Sequence, residues 1–424
     1  MSAFDKVIGY ESIKEELLQI CDILKNRDLY RQMGARLPHG MLLVGDPGLG
    51  KTLMAKCFIE ESGLTTYTVR RNKGGDGFVA EITTAFEEAR NNAPSIVFLD
   101  DMDKFANEDN DHCDTEEYVA VQAGIDLVNG SDVFVLATVN NDRKLPDSLI
   151  RAGRFDRKIE VDCPSESDAE MIIKHFLSNK KLSDDINMED LLKMISYSSC
   201  AELESILNEA AVSAAYGRKE AVAMNDIVKS VLRMQYNAPD NFNKISADDL
   251  KMIALHEAGH TVVSEMLCPE SVGLASVRTS GGGSQGGFIH RCKRLLCDMD
   301  DVMILLAGKA AVETFSDQVC AKGCEEDIRR AGNRIIRKIE NTGTAGLGMI
   351  DVSPFSESSE NFNSRVEAVT HAELERYYKQ AKSILIKNKA FLEKVTQALV
   401  EKGTLLFSDI QKLKAECKDK VKIV

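Results

Sequence analysis

Four short runs in the first third of the chain are apolar at consecutive positions rather than at every second one: Gly40-Met41-Leu42-Leu43-Val44, Thr66-Tyr67-Thr68-Val69, Ile96-Val97-Phe98-Leu99 and Val133 to Ala137. Runs that are apolar on both faces and separated by amphipathic helical patterns predict a buried parallel sheet of the α/β kind. After Pro164 a helical period takes over until about residue 235, where Tyr236-Asn237-Ala238-Pro239-Asp240-Asn241 supplies a turn-rich break. From Ser246 onward nearly everything reads as helix, apart from a Gly-rich stretch at Ser280 to Gly287 and a polar loop at Ser353 to Asn363. The pattern therefore predicts an α/β module over 1–164, a helical segment over 165–237, a linker over 238–246 and a mostly helical domain over 247–424.

The first chemical signal sits directly behind the first apolar run. Gly45-Asp46-Pro47-Gly48-Leu49-Gly50-Lys51-Thr52 fits the phosphate-binding loop pattern, and the helical Leu53-Met54-Ala55-Lys56 follows it. In such a loop the glycines let backbone N–H groups close on phosphate oxygens and the helix N-terminus adds a favourable dipole. Lys51 is placed to reach the outer phosphates and Thr52 to ligate magnesium. The run Ile96 to Leu99 ends in Asp100-Asp101, where a carboxylate should emerge beside that loop: Asp100 is the magnesium candidate and Asp101 the water-activating one. Asn140, behind the fourth run, is a candidate for orienting the attacking water. In Arg151-Ala152-Gly153-Arg154-Phe155-Asp156, two arginines three apart suit fingers that steady transition-state charge in a neighbouring subunit, which implies a ring.

The second signal is His256-Glu257-Ala258-Gly259-His260, inside the helical pattern Leu250 to Met266. Histidines at i and i+4 share a helix face and can hold one zinc ion, with Glu257 beside the open coordination position as the general base that passes a proton to the leaving amine. A third protein ligand is needed. Spacing leaves Glu265, Glu270, Glu313, Asp317 and the cluster Glu325-Glu326-Asp327 open, with Asp327 only slightly ahead of Glu313.

Composition narrows the function classes. With 424 residues, 44% hydrophobic, the chain can bury more than one core, and a formal net charge of −14 argues against a nucleic-acid partner. The 11 cysteines are unpaired in spacing and no apolar signal segment precedes the start, which reads as a reduced, cytoplasmic chain. Cys320 and Cys324 stand at helix spacing without a second Cys/His pair nearby, so they read as packing residues rather than metal ligands. No run approaches the roughly 20 apolar residues of a membrane span, so no membrane insertion by this chain is expected.

The phosphate loop, the Arg151–Asp156 segment and the His256 motif, in this order, resemble the FtsH family of ATP-dependent zinc proteases, AAA+ ATPases fused to a zinc peptidase domain. The resemblance runs from Phe4-Asp5-Lys6-Val7-Ile8-Gly9, through Asn208-Glu209-Ala210-Ala211, to the helices after Gly346-Leu347-Gly348. It implies that the backbone at Ile8 and Gly9 contacts adenine beside the loop Gly45 to Leu53, that 165–237 is a helical lid, and that Asp327 is the third zinc ligand. By the same resemblance Asn140 is the sensor and Arg151 and Arg154 the fingers of a homo-hexamer that threads unfolded or misfolded proteins into a chamber of zinc sites, using ATP and Mg²⁺. Gly287-Phe288-Ile289 would lie in the edge strand that pairs with substrate backbone. The chain departs from the family in carrying Asp101 where the family has Glu, and Cys200 where it has a lid glycine. Gly74-Gly75-Asp76-Gly77 fall over the pore loop, with Phe78 serving as pore residue if the loop is shifted. Two other readings accompany this one: an unfoldase or remodelling chaperone with a vestigial zinc site, and an ATP-independent metallopeptidase with a decayed motor.

Overall fold

In the computed structural model, the described residues are 2–71, 76–106, 115–150, 153–238, 246–278, 286–293, 298–316, 324–342 and 360–417. They fall into two compact units, Met1–Asn179 with Tyr197–Ser205, and Lys180–Ser196 with Ile206–Val424, so the expected lid segment 165–237 is shared between them.

In the first unit, helices α1 (Glu11–Lys25) and α2 (Arg27–Gln32) precede strand β1 (Gly40–Val44). Then follow α3 (Lys51–Ser62), β2 (Thr65–Arg70), α4 (Asp76–Asn91), β3 (Ser95–Asp100), α5 (Thr115–Val128), β4 (Val133–Val139), α6 (Asp147–Ile150), β5 (Arg157–Glu160) and α7 (Glu166–Leu177). The five strands are all parallel, in the order β2-β3-β4-β1-β5. β1, β3 and β4 are buried at every position, which is why they read as unbroken apolar runs. β5 escaped the pattern because only Ile159 of its four residues is buried. In such a sheet, ligands gather at the carboxyl ends of the strands. There β1 runs into the phosphate loop, β3 ends at Asp100 and Asn140 follows β4.

In the second unit, α8 (Met188–Met194), α9 (Cys200–Tyr216, whose first turn belongs to the first unit) and α10 (Met224–Tyr236) precede α11 (Ala247–Leu267). Then come β6 (Val272–Ser276), β7 (Phe288–Arg291), α12 (Asp298–Phe315), α13 (Cys324–Thr342), α14 (Glu360–Lys387), α15 (Lys389–Lys402), β8 (Thr404–Leu406) and α16 (Phe407–Ala415). Ser246 caps α11, its hydroxyl accepting from the Asp249 N–H. Thirteen residues of α11 are buried, so the helix that carries the His256 motif is a core element. Each wholly buried Val on it, such as Val262 and Val263, contributes about 1.5–3 kcal/mol.

The mostly helical reading of this part holds, with three short strands set among the helices. β6, β7 and β8 form a three-stranded antiparallel sheet in the order β7-β6-β8. β6 is five residues, all buried, and β8 is three, too short for alternation to show against the helices around them. Among the described residues no helix is long and apolar enough to cross a membrane.

Candidate nucleotide and metal sites

The phosphate loop owes its path to Gly48 and Gly50, at φ +82° and +89°, a region where side-chain-bearing residues are strained. Lys51, 5% exposed, donates to Gly45 O at 2.7 Å, Asp46 O at 2.8 Å and the Asn140 side-chain oxygen at 2.9 Å. Burial draws its ammonium below the usual lysine range, against the pull of Asp101, Asp103, Asp46 and Asp100. Thr52 Oγ1 donates to Asp100 Oδ1 at 2.9 Å, and Thr138 Oγ1, from β4, donates to the same oxygen at 2.9 Å. The next residue, Asp101, sits at φ +55°, gives its N–H to Thr138 Oγ1 at 2.8 Å and pairs with Lys104 at 2.7 Å. Thr138 therefore organises both acids, a role hidden by its place in an apolar strand.

Of the expected adenine-side residues Ile8 and Gly9, Gly9 lies against the first turn of α7. Gly9 turns at φ +74°, and a Cβ there would lie 2.8 Å from Asp168 Oδ1, which accepts from the Tyr10 N–H at 2.9 Å. Tyr10 Oη stands 3.6 Å from Cys200 Sγ, and Ala201 N, one residue on, donates to Gly48 O at 3.0 Å. The start of α9 thus closes on the loop.

The remaining sequence candidates divide. Arg154 is held by Asp126, at 2.8 and 3.0 Å, and by Ser148 O. Arg151 lies outside the described residues, as do Gly74 and Gly75. Phe78 requires a correction: it is 1% exposed and packs edge-to-face on Phe105, with centroids 5.2 Å apart. An aromatic ring so buried in the module's own core is not free to grip a substrate.

The metal candidate is built by α11, α12 and α13. His256 Nε2 and His260 Nε2 lie 3.0 Å apart, and Asp327 Oδ2 lies 3.2 Å from the first and 3.3 Å from the second. Ligand atoms on a tetrahedral zinc with bonds of about 2.0–2.1 Å stand about 3.3 Å apart, so the triangle fits one face of that tetrahedron. Among the described residues, this is the trio of His, Cys, Asp or Glu side chains found close enough to share an ion. His260 Nδ1 faces Ile304 O at 2.6 Å; a carbonyl only accepts, so Nδ1 carries a proton and Nε2 is the nitrogen that can bind a metal once its own proton is displaced.

Asp327 occupies the first turn of α13. Glu313, its closest rival by spacing, is instead engaged by Lys309 and by Tyr378 Oη, the latter at 2.6 Å. Glu265 accepts from three backbone N–H groups and from Lys414, and Asp317 lies outside the described residues. Cys324 is buried, with Sγ 4.0 Å from His256 Nδ1, and is disulfide-bonded, so it offers no thiolate and departs from the wholly reduced chain expected.

Burial opposes charge on His260, but Asp327 outweighs it and pushes the imidazole up to about 9. Asp327 itself, despite burial, is held well below the usual carboxylate range by hydrogen bonds from His256 and His260. Glu257 is 3% exposed; burial pushes its carboxyl up, and a backbone hydrogen bond from Gly287 limits the rise.

Small residues on α12, unremarked in the sequence, make this possible. A Cβ on Gly259 would lie 2.6 Å from Ala307 O and 2.7 Å from Ala311 Cβ, so the two helices approach backbone to backbone. A Cβ on Gly308 would fall 2.4–2.6 Å from three atoms of the His256 ring.

A phosphate-loop module with its acids in place, on one chain with a two-histidine, one-aspartate trio beside a buried glutamate, defines the class: P-loop nucleotide-binding modules joined to a candidate metal-site domain. The family described as "ATPase family associated with various cellular activities (AAA)" matches residues 41–163, and "Peptidase family M41" matches residues 243–413. The ATP-dependent zinc metalloproteases FtsH of Thermus thermophilus and Caldicellulosiruptor bescii are 30% and 31% identical to it, each over 97% of this chain and over 70% and 71% of their own lengths. That of Leptotrichia buccalis is 30% identical over 97% of this chain and 56% of its own length. The chain belongs to the FtsH family. It spans little more than half to about seven-tenths of these relatives.

Proposed function

We propose that this protein is an ATP-dependent zinc metalloendopeptidase that works as a cytoplasmic homo-hexamer on unfolded or misfolded proteins. The observation that carries the reading is the triangle of His256, His260 and Asp327 beside buried Glu257. Support from the other half is the engaged pair of phosphate-loop contacts, Lys51 with Asn140 and Thr52 with Asp100.

In this reading residues 1–164 bind ATP, 165–237 are the lid and 247–424 cut the substrate. When bound, zinc would polarise the scissile carbonyl and make an attacking water more acidic. The chain's own residues do the rest. Glu257, desolvated and held by the Gly287 N–H, takes a proton and returns it to the leaving amine; its raised affinity for protons suits both steps. Edge strand β7 offers backbone groups to an extended substrate. At the other site Lys51 would hold the phosphates, Thr52 and Asp100 would hold Mg²⁺, Asp101 would activate and Asn140 orient the attacking water, and Arg151 and Arg154 would act in the neighbouring subunit.

The test is degradation of a labelled unfolded protein with ATP, with a non-hydrolysable analogue, and with ATP plus a zinc chelator. Cleavage that needs both ATP and zinc supports the coupled machine. A second reading, the decayed motor, is favoured by the Asp101–Lys104 ion pair and by burial of Phe78; it predicts cleavage indifferent to nucleotide. ATP turnover without cleavage would point to the remodelling chaperone.

A further inference from the structure

Among the described residues, strand β7 lies at the sheet edge and pairs with β6 alone, with Leu274 opposite His290, Ala275 opposite Ile289 and Ser276 opposite Phe288. Four residues paired on one side make a weak element, yet this one adjoins the catalytic base through Gly287. A Cβ on Gly287 would lie 2.6 Å from Glu257 Cγ, so the residue just ahead of the strand approaches the base backbone to side chain.

What steadies β7 comes from well before it in the chain. Tyr236, the last residue of α10, stacks on Phe288 with ring centroids 4.1 Å apart and planes 16° apart. Its hydroxyl lies 2.6 Å from His290 Nδ1, and Ser196 Oγ, two residues after α8, lies 2.9 Å from His290 Nε2. Both ring nitrogens are therefore engaged by hydroxyls, which donate or accept as a neutral imidazole requires. Burial keeps the ring neutral by drawing it down to about 4. Tyr236 thus grips two residues of one short strand, by stacking and by hydrogen bonding.

We propose that Tyr236 and His290 are positioning residues for peptide cleavage: a brace from the helical segment ahead of the peptidase motif that fixes edge strand β7 for pairing with substrate backbone. The inference rests on the reading of β7 as the substrate-pairing strand. It separates Phe288 and His290 from ordinary edge residues, because their side chains serve the strand's placement and leave its outer backbone edge to the substrate.

Steady-state cleavage of an unstructured fluorogenic peptide, at saturating zinc and ATP, tests it. Tyr236→Ala and His290→Ala each raise KM about tenfold, as expected for loss of a ring stack with a hydrogen bond or of two hydrogen bonds, while kcat, zinc content and ATP turnover stay within about twofold. Tyr236→Phe keeps the stack and raises KM only about threefold; it carries the test should the alanine variants fold poorly. KM unchanged in Tyr236→Phe and His290→Ala, or a fall in kcat alone as from fewer active molecules, overturns the brace. A zinc-loaded parent enzyme that cuts no peptide, or a Glu257→Gln variant that still cuts, overturns the peptidase reading and this inference with it.

Discussion

The hydroxyl of Thr52 donates to the carboxylate of Asp100 across 2.9 Å, joining the first turn after the phosphate loop to the end of a strand 48 positions further along the chain. Neighbouring parallel strands β3 and β4, and β1 beside β4, bring those ends together, and Thr138 fixes the acid from its other side. The candidate magnesium residues, Thr52 and Asp100, are thus in mutual contact.

Lys51→Ala leaves that Thr52–Asp100 contact but removes the ammonium bonded to Asn140 and the loop carbonyls. ATP hydrolysis is expected to fall by about two orders of magnitude or more, with degradation of folded substrates lost and cleavage of small unstructured peptides kept. Parallel ATPase and peptide assays check this, and continued degradation of a folded substrate would make the motor irrelevant.

Glu257→Gln keeps the size and burial of the side chain but removes the proton acceptor. Peptide hydrolysis should fall about 10²- to 10⁴-fold, while zinc content by metal analysis and ATP turnover remain at parent levels. Retained cleavage would take the general-base role away from Glu257.

Gly308→Ala places a methyl where the His256 ring stands, so the ring or α12 has to move. Zinc affinity is expected to drop about 10- to 100-fold, as for other disturbances of a ligand's support. A competition titration against a chromogenic chelator reads it directly, and an unchanged affinity would show that the site is more compliant than its packing implies.

Metal binding should also depend on pH with a definite sign. Asp327 pushes His260 up to about 9, so at pH 7 the metal-free site holds a proton that zinc must displace. Binding then releases about one proton from His260 at pH 7, and apparent affinity rises by up to about tenfold per pH unit until about pH 9, where it levels off. Calorimetry in two buffers of different ionisation heat measures the release, and none detected would contradict the coupling drawn between these two residues.

Much of this was legible before any coordinates. The phosphate loop and the His256–His260 pair are local patterns: a turn that needs glycine, and two donors one helical turn apart, are fixed by backbone geometry over a few residues. The buried strands β1, β3 and β4 announced themselves because burial on both faces demands unbroken apolar runs. What the chain order could not rank was the third donor, since Asp327 and Glu313 are both acids on later helices; only folding turned Glu313 toward Lys309 and Tyr378 and put Asp327 between the histidines. The same holds for Phe78, whose place in the core depends on Phe105, and for Gly308 and Thr138, small or modest residues whose importance lies in what packs against them. Strands β6 and β8, joined across the length of the peptidase part, are non-local pairings that no period in five or three residues can encode. The sequence by itself determined the chemistry on offer and the local shapes that carry it. The tertiary structure decided which groups meet, because contact between distant segments is set by packing of whole elements and not by neighbouring residues.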